Sequence, residues 1–380
     1  MIDSETLLKQ KTELLCKGLY LDENLIPHYK NQGIDIDYGR KGGAGPSGGK
    51  YFIFEDGITL VNVALWNNPE KTDLVLKENN NGYFEIYNRV KKVNFGKLKL
   101  IQNPRFYSPE FKTSDGIEMK KIALVHGTDC LSTTIYQKCI YWACGEACAF
   151  CGIEYSLQND ATILEKNATQ MSEVITVAKK EGRCNHMTLT SGTDKNDDKG
   201  ANRYIEFLKG VKKNHADIPI HVQIEALENI EYINKLKEAG ADTIGIHLEV
   251  LNENLRSKIT PGKFHLSYEL FEKNWRQALL AFGKNQVSSY ILTGFGESVN
   301  DFINRVEKIV SIGVIPYITP VRSIAGKKNL PFTDFKVLIE IYRKSAELMK
   351  EYGVNPLENK AGCVRCGDCS SITEAYKTLA

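Results

Sequence analysis

Cys144, Cys148 and Cys151 lie in the stretch YWACGEACAFCGIEYS with the spacing C-x3-C-x2-C, and Phe150 immediately precedes the last. Cys363, Cys366 and Cys369 form a second set, C-x2-C-x2-C, in AGCVRCGDCSS near the other end of the chain. Clustered thiols in a large chain without an export signal read as metal ligands rather than disulfides. Three chemistries suit the first set. Structural zinc takes four ligands, commonly in two paired halves, so a fourth would come from elsewhere. A redox pair needs only C-x2-C. A cubane iron–sulfur cluster takes three thiolates and leaves one iron open, where a small molecule can coordinate and receive one electron. The second set matches most of a ferredoxin-like run but lacks its fourth cysteine and the following proline. It suits zinc or an auxiliary iron–sulfur cluster whose fourth ligand is Ser370, Ser371, a scattered cysteine, or nothing from the protein. Cys16, Cys130, Cys139 and Cys184 are scattered and read as core residues.

A scaffold must hold these thiols, and composition bounds it. The chain has 380 residues, 42% apolar and 25% charged, with a formal net charge of +2. That balance argues against a dedicated nucleic-acid binder, which would carry a strongly basic patch. The start, MIDSETLLKQKTELL, lacks the apolar segment of a secretory signal, and no apolar run approaches the length of a membrane span. A cytoplasmic protein, with no membrane partner, is expected. The glycine-dense GRKGGAGPSGGKY, residues 39–51, fails as a phosphate loop. Ala44 occupies the first glycine position, and Tyr51 stands where Ser or Thr would hold magnesium. It reads as a loop folding over a site.

Residues 1 to about 35 read as helical, and 51 to about 125 as short β runs separated by Asp56-Gly57 and Asn81-Gly82 turns. Beyond about 130, strands alternate with amphipathic helices. STTIYQKCIYW, HMTLTSGT, IPIHVQIEA, ADTIGIHLEV, NQVSSYILTGFG and VIPYITPVRSI are six strands with five intervening helices, and FTDFKVLIEIYRKSAELMKEYG is a closing helix. The pattern predicts an α/β fold: a partial (β/α)6 TIM-type barrel (126–355), a small β-containing amino-terminal portion (1–125) and a Cys-rich carboxyl-terminal tail (356–380). Polar residues following nearly every strand favour a barrel, whose active site gathers at those ends. Neither a G-x-S-x-G elbow nor an H-E-x-x-H pair is present, so simple hydrolysis is disfavoured.

C-x3-C-x2-C with an aromatic before its third cysteine, after the first strand of such a barrel, resembles the signature of the radical S-adenosylmethionine (radical-SAM) superfamily. The resemblance implies that Cys144, Cys148 and Cys151 bind a four-iron, four-sulfide (4Fe–4S) cluster shielded by Phe150. S-adenosylmethionine on the open iron would be cleaved to a 5′-deoxyadenosyl radical that abstracts substrate hydrogen. Other stations are carried over by position. Thr190, Ser191, Gly192 and Thr193 stand where the methionine amino group binds, departing from the common Gly-Gly-Glu form. Gln223 and Glu225 face the interior from the third strand, and His247 and Glu249 share one face of the fourth. Gly294, Gly296 and Glu297 resemble the segment near the nucleoside, and Arg322 is a cation able to hold a carboxylate.

Residues 125 to 372 resemble the biotin-synthase-like branch. GIHLEVLNENLRSKITPGK, FGKNQVSSYILTGFGES and AGCVRCGDCS are similar to split, two-protein lipoyl synthases and to radical-SAM proteins encoded beside nitrilases. The first group implies sulfur insertion into a carrier-bound octanoyl chain, with an auxiliary cluster as sulfide source. It also implies ferredoxin or flavodoxin as electron donor and a second radical-SAM protein as partner. Two readings stay beside it: a radical enzyme of other substrate whose second cluster, near the barrel mouth, anchors substrate or passes electrons, and a zinc-stabilised barrel without redox chemistry.

Overall fold

Alternating residues in KYFIF and YFEIYN dictate strands with one buried face, and their burial does alternate residue by residue. The computed structural model describes residues 3–38, 49–80, 83–322, 330 and 333–379. Its first sheet contains β1 (Leu19–Tyr20), β2 (Lys50–Phe54), β3 (Leu60–Val63), β4 (Leu65–Trp66), β5 (Leu74–Asn80), β6 (Tyr83–Asn88) and β7 (Val93–Leu100). They are ordered β3-β2-β7-β6-β5-β1-β4. Helix Ser4–Lys17, capped by the Asp3 side chain accepting from the Thr6 N–H, adds Leu7, Leu14 and Leu15 to a core with Phe52, Val61 and Phe84. Residues 39–48 of the glycine-dense segment, expected over the barrel mouth, lie outside the described residues.

The second sheet contains β8 (Leu124–His126), β9 (Cys130–Thr134), β10 (His186–Thr190), β11 (Ile220–Ile224), β12 (Thr243–Ile246), β13 (Val287–Thr293) and β14 (Ile315–Pro320), hydrogen-bonded in sequence order. β9 to β14 are parallel, as the alternation predicts. Every residue of β12 and β14 is buried, as strands covered on both faces must be. Three of the helices between them start at polar caps: Asn167 in a capping box with Gln170, Ser267 and Ser298. Two differences stand out. β8 is an additional antiparallel edge strand on β9. β9 ends at Thr134, and Ile140–Ala143 forms a helical turn instead of continuing the strand.

The sheet curls into a partial barrel with β8 and β14 as its edges, and the amino-terminal sheet bridges them. Tyr51 and Asn62 are cross-strand partners on β2 and β3. The Tyr51 ring stacks on His126 at the end of β8, 5.7 Å between centroids. Asn62 accepts from Arg322, beyond β14, through its side-chain and main-chain oxygens at 2.6 Å each. The described amino-terminal residues therefore close the seam between the barrel's edges.

The tail lies at the barrel floor, where the strands begin. Gly362 N–H donates to Nδ1 of His186, the first residue of β10 (3.1 Å). Thr243, the first residue of β12, donates to the Ala361 carbonyl (3.3 Å), and Lys360 N–H donates to Gln286 just before β13 (3.1 Å). This corrects the expectation of a second cluster near the mouth. The closing helix Phe335–Glu351 follows β14, so it returns the chain to the floor as every earlier helix does. Among the described residues no helix is long and apolar enough to cross a membrane.

Candidate active site

The first cysteine loop is fastened along its length. After β9, Ile135 N–H donates to the Thr190 carbonyl, Gly192 N–H to Tyr136, and Ile140 N–H to Thr193, each at 2.9 Å. A Cβ at Gly192 would stand 1.9 Å from the Lys138 carbonyl oxygen, so only glycine allows this approach. Thr190, Gly192 and Thr193 thus hold the loop with their backbone, and they line the cavity beneath it together with Ser191. The helical turn ends at Cys144, and Gly145 (φ +79°) reverses the chain. From the other side, Ala149 N–H donates to the Ile259 carbonyl (2.8 Å) and Tyr141 Oη donates to Glu225 (2.8 Å).

Cys144 is exposed, Cys151 half-buried and Cys148 buried. Phe150 packs with Cys148, Leu292 and Val321, and Cys151 and Phe295 border this group. An apolar wall therefore stands beside the thiols. Burial pushes the Cys148 thiol well above its ordinary range, so it is a neutral thiol until a metal displaces the proton.

A cavity of about 200 Å³ runs down the barrel from Cys148, Phe150 and Cys151 to Cys363, Cys366 and Cys369. Gln223, His247 and Glu249 line it, joined by Tyr141, Glu225 and Lys263. Glu225 accepts from Tyr141 and from Thr193 (3.1 Å). Glu249, in the left-handed region at φ +65°, accepts from Lys263 at 2.8 and 3.0 Å. Burial alone would lower the Lys263 pKa, but the Glu249 charge holds it well above its ordinary value. His247 is kept neutral by burial. Its Nδ1 accepts from the Tyr290 N–H (3.0 Å), so Nε2 carries the proton, and that buried donor has no partner. A buried donor aimed into a cavity fits a ligand with an acceptor there.

Gly294 (φ +113°), Gly296 (φ +93°) and Glu297 follow β13 but do not line this cavity. Glu297 accepts from the Phe295 N–H (3.2 Å), its other oxygen is buried without a partner, and burial raises its pKa. Arg322, expected as a carboxylate clamp, is instead committed to Asn62 and the Leu15 carbonyl (3.3 Å), because the amino-terminal sheet occupies that side. Gln223, expected near the upper cofactor, donates to Cys363 Sγ at 3.3 Å. Tyr141 and Lys263 were not singled out by the sequence. Lys263 sits in a turn after helix Glu253–Ile259, where no periodicity points inward.

At the floor, Gly362 (φ +83°) lies against the His221 ring; a Cβ there would meet it at 2.3 Å. The turn Cys363–Cys366 ends at Gly367 in the left-handed conformation. Burial pushes the Cys363 and Cys369 thiols up. Asp368 is buried and lines the cavity beside the tail thiols. Among the described residues no three His, Cys, Asp or Glu side chains converge as ligands of one ion. Cys148, Cys151, Cys363, Cys366 and Cys369 line the one cavity, while Cys144 stands outside its lining.

A family model described as the Radical SAM superfamily matches residues 140–309, from the cysteine loop to the helix after β13. This segment carries the radical-SAM domain that the cysteine motif resembles. That family implies a 4Fe–4S cluster and S-adenosylmethionine, and the matched segment contains Cys144, Cys148 and Cys151. An uncharacterized protein of Methanocaldococcus jannaschii is 33% identical over 115 residues, 30% of this chain and 29% of that protein. Streptococcus suis SuiB matches with TM-score 0.45 and 13% identity over 63% of this chain and 50% of its own. HydG, a maturase of the FeFe-hydrogenase, matches with TM-score 0.42 and 17% identity over 60% and 51%. The chain thus spans under a third of the archaeal relative and about half of those two structures.

Proposed function

We propose that this radical-SAM enzyme inserts sulfur into an unactivated carbon of an acyl chain, as its resemblance to the split lipoyl synthases implies. One observation carries the reading: the upper cysteine loop and the three tail cysteines line one cavity. β9 spans the height between the two sets, and five strand residues cover roughly 13 Å. A substrate carbon between them has the radical source above and a second cysteine site below. Cys144, Cys148 and Cys151 would hold the upper cluster, which with S-adenosylmethionine and one electron from a reduced donor would supply hydrogen-atom abstraction; Cys363, Cys366 and Cys369 would hold a lower cluster that would supply sulfide and take up the electron released on C–S bond formation.

The protein's own residues have separate tasks in this reading. The apolar wall of Phe150, Leu292 and Val321 keeps water from the radical source. Lys263 with Glu249, and Glu225 with Tyr141 and Thr193, fix polar groups of S-adenosylmethionine. His247 donates from Nε2 to an acceptor on cofactor or substrate. Residues 126–355 form the catalytic barrel, 1–125 close its seam, and 356–380 bear the auxiliary site. The substrate is octanoyl-lysine on a carrier, the donor is ferredoxin or flavodoxin in the reducing cytoplasm, and a second radical-SAM protein completes the pair of insertions.

The test is reconstitution with ³⁴S-sulfide, removal of free sulfide, and anaerobic turnover on an octanoyl-lysine peptide with S-adenosylmethionine and a chemical reductant. Mass spectrometry should find ³⁴S in the peptide and 5′-deoxyadenosine in solution. Deoxyadenosine formed with a product free of sulfur would refute insertion and leave the lower cluster an anchoring or electron-transfer role.

A further inference from the structure

Cys130 was read as a core residue, yet its surroundings are unlike those of Cys16 and Cys184, and it lies at the tail end of the cavity whereas Cys139 precedes the upper loop. Cys16 and Cys184 are buried among aliphatic neighbours of the core. Cys130 opens β9 and shares the cavity face with Ser132, two residues on. Its Sγ lies 3.4 Å from Thr188 Oγ1 and 3.7 Å from Ser132 Oγ. It lines the same cavity as Cys363, Cys366 and Cys369. β8 turns into β9 at Gly127, where a Cβ would stand 3.3 Å from Cys366 Sγ and 3.6 Å from Asp368 Oδ2. The tail loop is thus pressed onto the hairpin that carries Cys130.

We propose that Cys130 is the fourth protein ligand of the auxiliary cluster, completing a four-thiolate site with Cys363, Cys366 and Cys369. This rests on the two-cluster reading above and deepens it. Three tail thiols leave one iron without a protein ligand. Cys130 is the scattered cysteine that lines the cavity from the hairpin against which Cys366 packs. Hydroxyls of Ser132 and Thr188 and the Gln223 amide surround the sulfurs with donors, the environment that stabilises thiolates and bridging sulfides. The buried Asp368 faces the same volume, its Oδ2 lying with Cys366 Sγ against Gly127. Such a cluster ties the tail to the first barrel strand. It gives the floor a fixed height below the substrate carbon.

The full-length chain carrying Cys144→Ala, Cys148→Ala and Cys151→Ala is reconstituted anaerobically, so that the lower site is read alone by iron analysis and electron paramagnetic resonance. The parent should hold about four irons. Adding Cys130→Ala should lower this to about three or fewer and replace the reduced-cluster spectrum by that of an oxidised three-iron cluster. Cys130→Ser, which preserves volume and offers oxygen, should keep about four with a shifted spectrum. Asp368→Asn should keep iron and spectrum. Four irons and an unchanged spectrum in Cys130→Ala overturn the assignment alone, as does loss of iron in Asp368→Asn with retention in Cys130→Ala. No iron in the parent overturns the two-cluster reading and this assignment with it.

Discussion

Lys11 is the cation that fastens the tail from outside the barrel, and its removal should release the floor. The side chain is 1% exposed; Nζ donates to Glu374 Oε2 at 2.8 Å and to the Gly367 carbonyl at 2.8 Å. Gly367 lies between Cys366 and Cys369, so this hydrogen bond holds the loop that presents the thiols. Lys11→Met keeps the volume but leaves a carboxylate 7% exposed without its cation, and breaking such a buried pair costs about 3–5 kcal/mol. The Gly367 carbonyl also loses its donor, at about 1–3 kcal/mol if nothing replaces it. Lys11→Met with Glu374→Leu removes both charges, and a buried pair replaced by apolar groups is often near neutral. Equilibrium urea unfolding of the cluster-free chain should therefore show a loss of about 4–8 kcal/mol in the single variant and recovery of about 3–5 kcal/mol of it in the double. Iron at the lower site should fall in the single variant while the upper site keeps its own. A single-variant loss below about 1 kcal/mol, or a double variant no better than the single, would refute the argument.

Other perturbations act elsewhere on the site. Gly192→Ala puts a Cβ into the Lys138 carbonyl, so the cysteine loop must shift; iron analysis should show loss at the upper site with the lower site retained. His247→Phe removes the unpartnered Nε2 donor, and calorimetry should find S-adenosylmethionine or substrate binding weakened about 5- to 30-fold, the worth of one buried hydrogen bond. Glu297 has its pKa raised by burial, so the native state holds that proton more tightly than the unfolded chain. Its contribution to stability is present below the unfolded value near 4.5 and is lost as pH rises through the folded value. Glu297→Gln should therefore gain stability relative to the parent as pH rises above that range, measured by melting temperature across pH.

Periodicity made the parallel strands legible, because a strand buried on both faces and a helix with one apolar stripe look different in sequence. It gave no hint of β8, whose three residues are too short to show a period. β5 is hard to see for another reason: its LVLKENN turns polar where the strand runs toward its hairpin. The cysteine loop could be read because its three thiols are local, whereas Lys263, Tyr141 and Cys130 meet the site only through folding. Tail placement at the floor was available in principle, since a helix that follows the last strand must carry the chain back. Arg322 shows the opposite limit: its charge suggested a ligand, and only the docked amino-terminal sheet reveals its partners Asn62 and Leu15.

The account depends on two iron–sulfur sites at opposite ends of one cavity. Iron and acid-labile sulfide per chain after anaerobic reconstitution test this directly, in the native protein and in the variant with Cys363→Ala, Cys366→Ala and Cys369→Ala. The account predicts about eight irons in the native protein and about four in the variant. About four in both would contradict it, leaving a single-cluster radical enzyme with a tail that holds no iron.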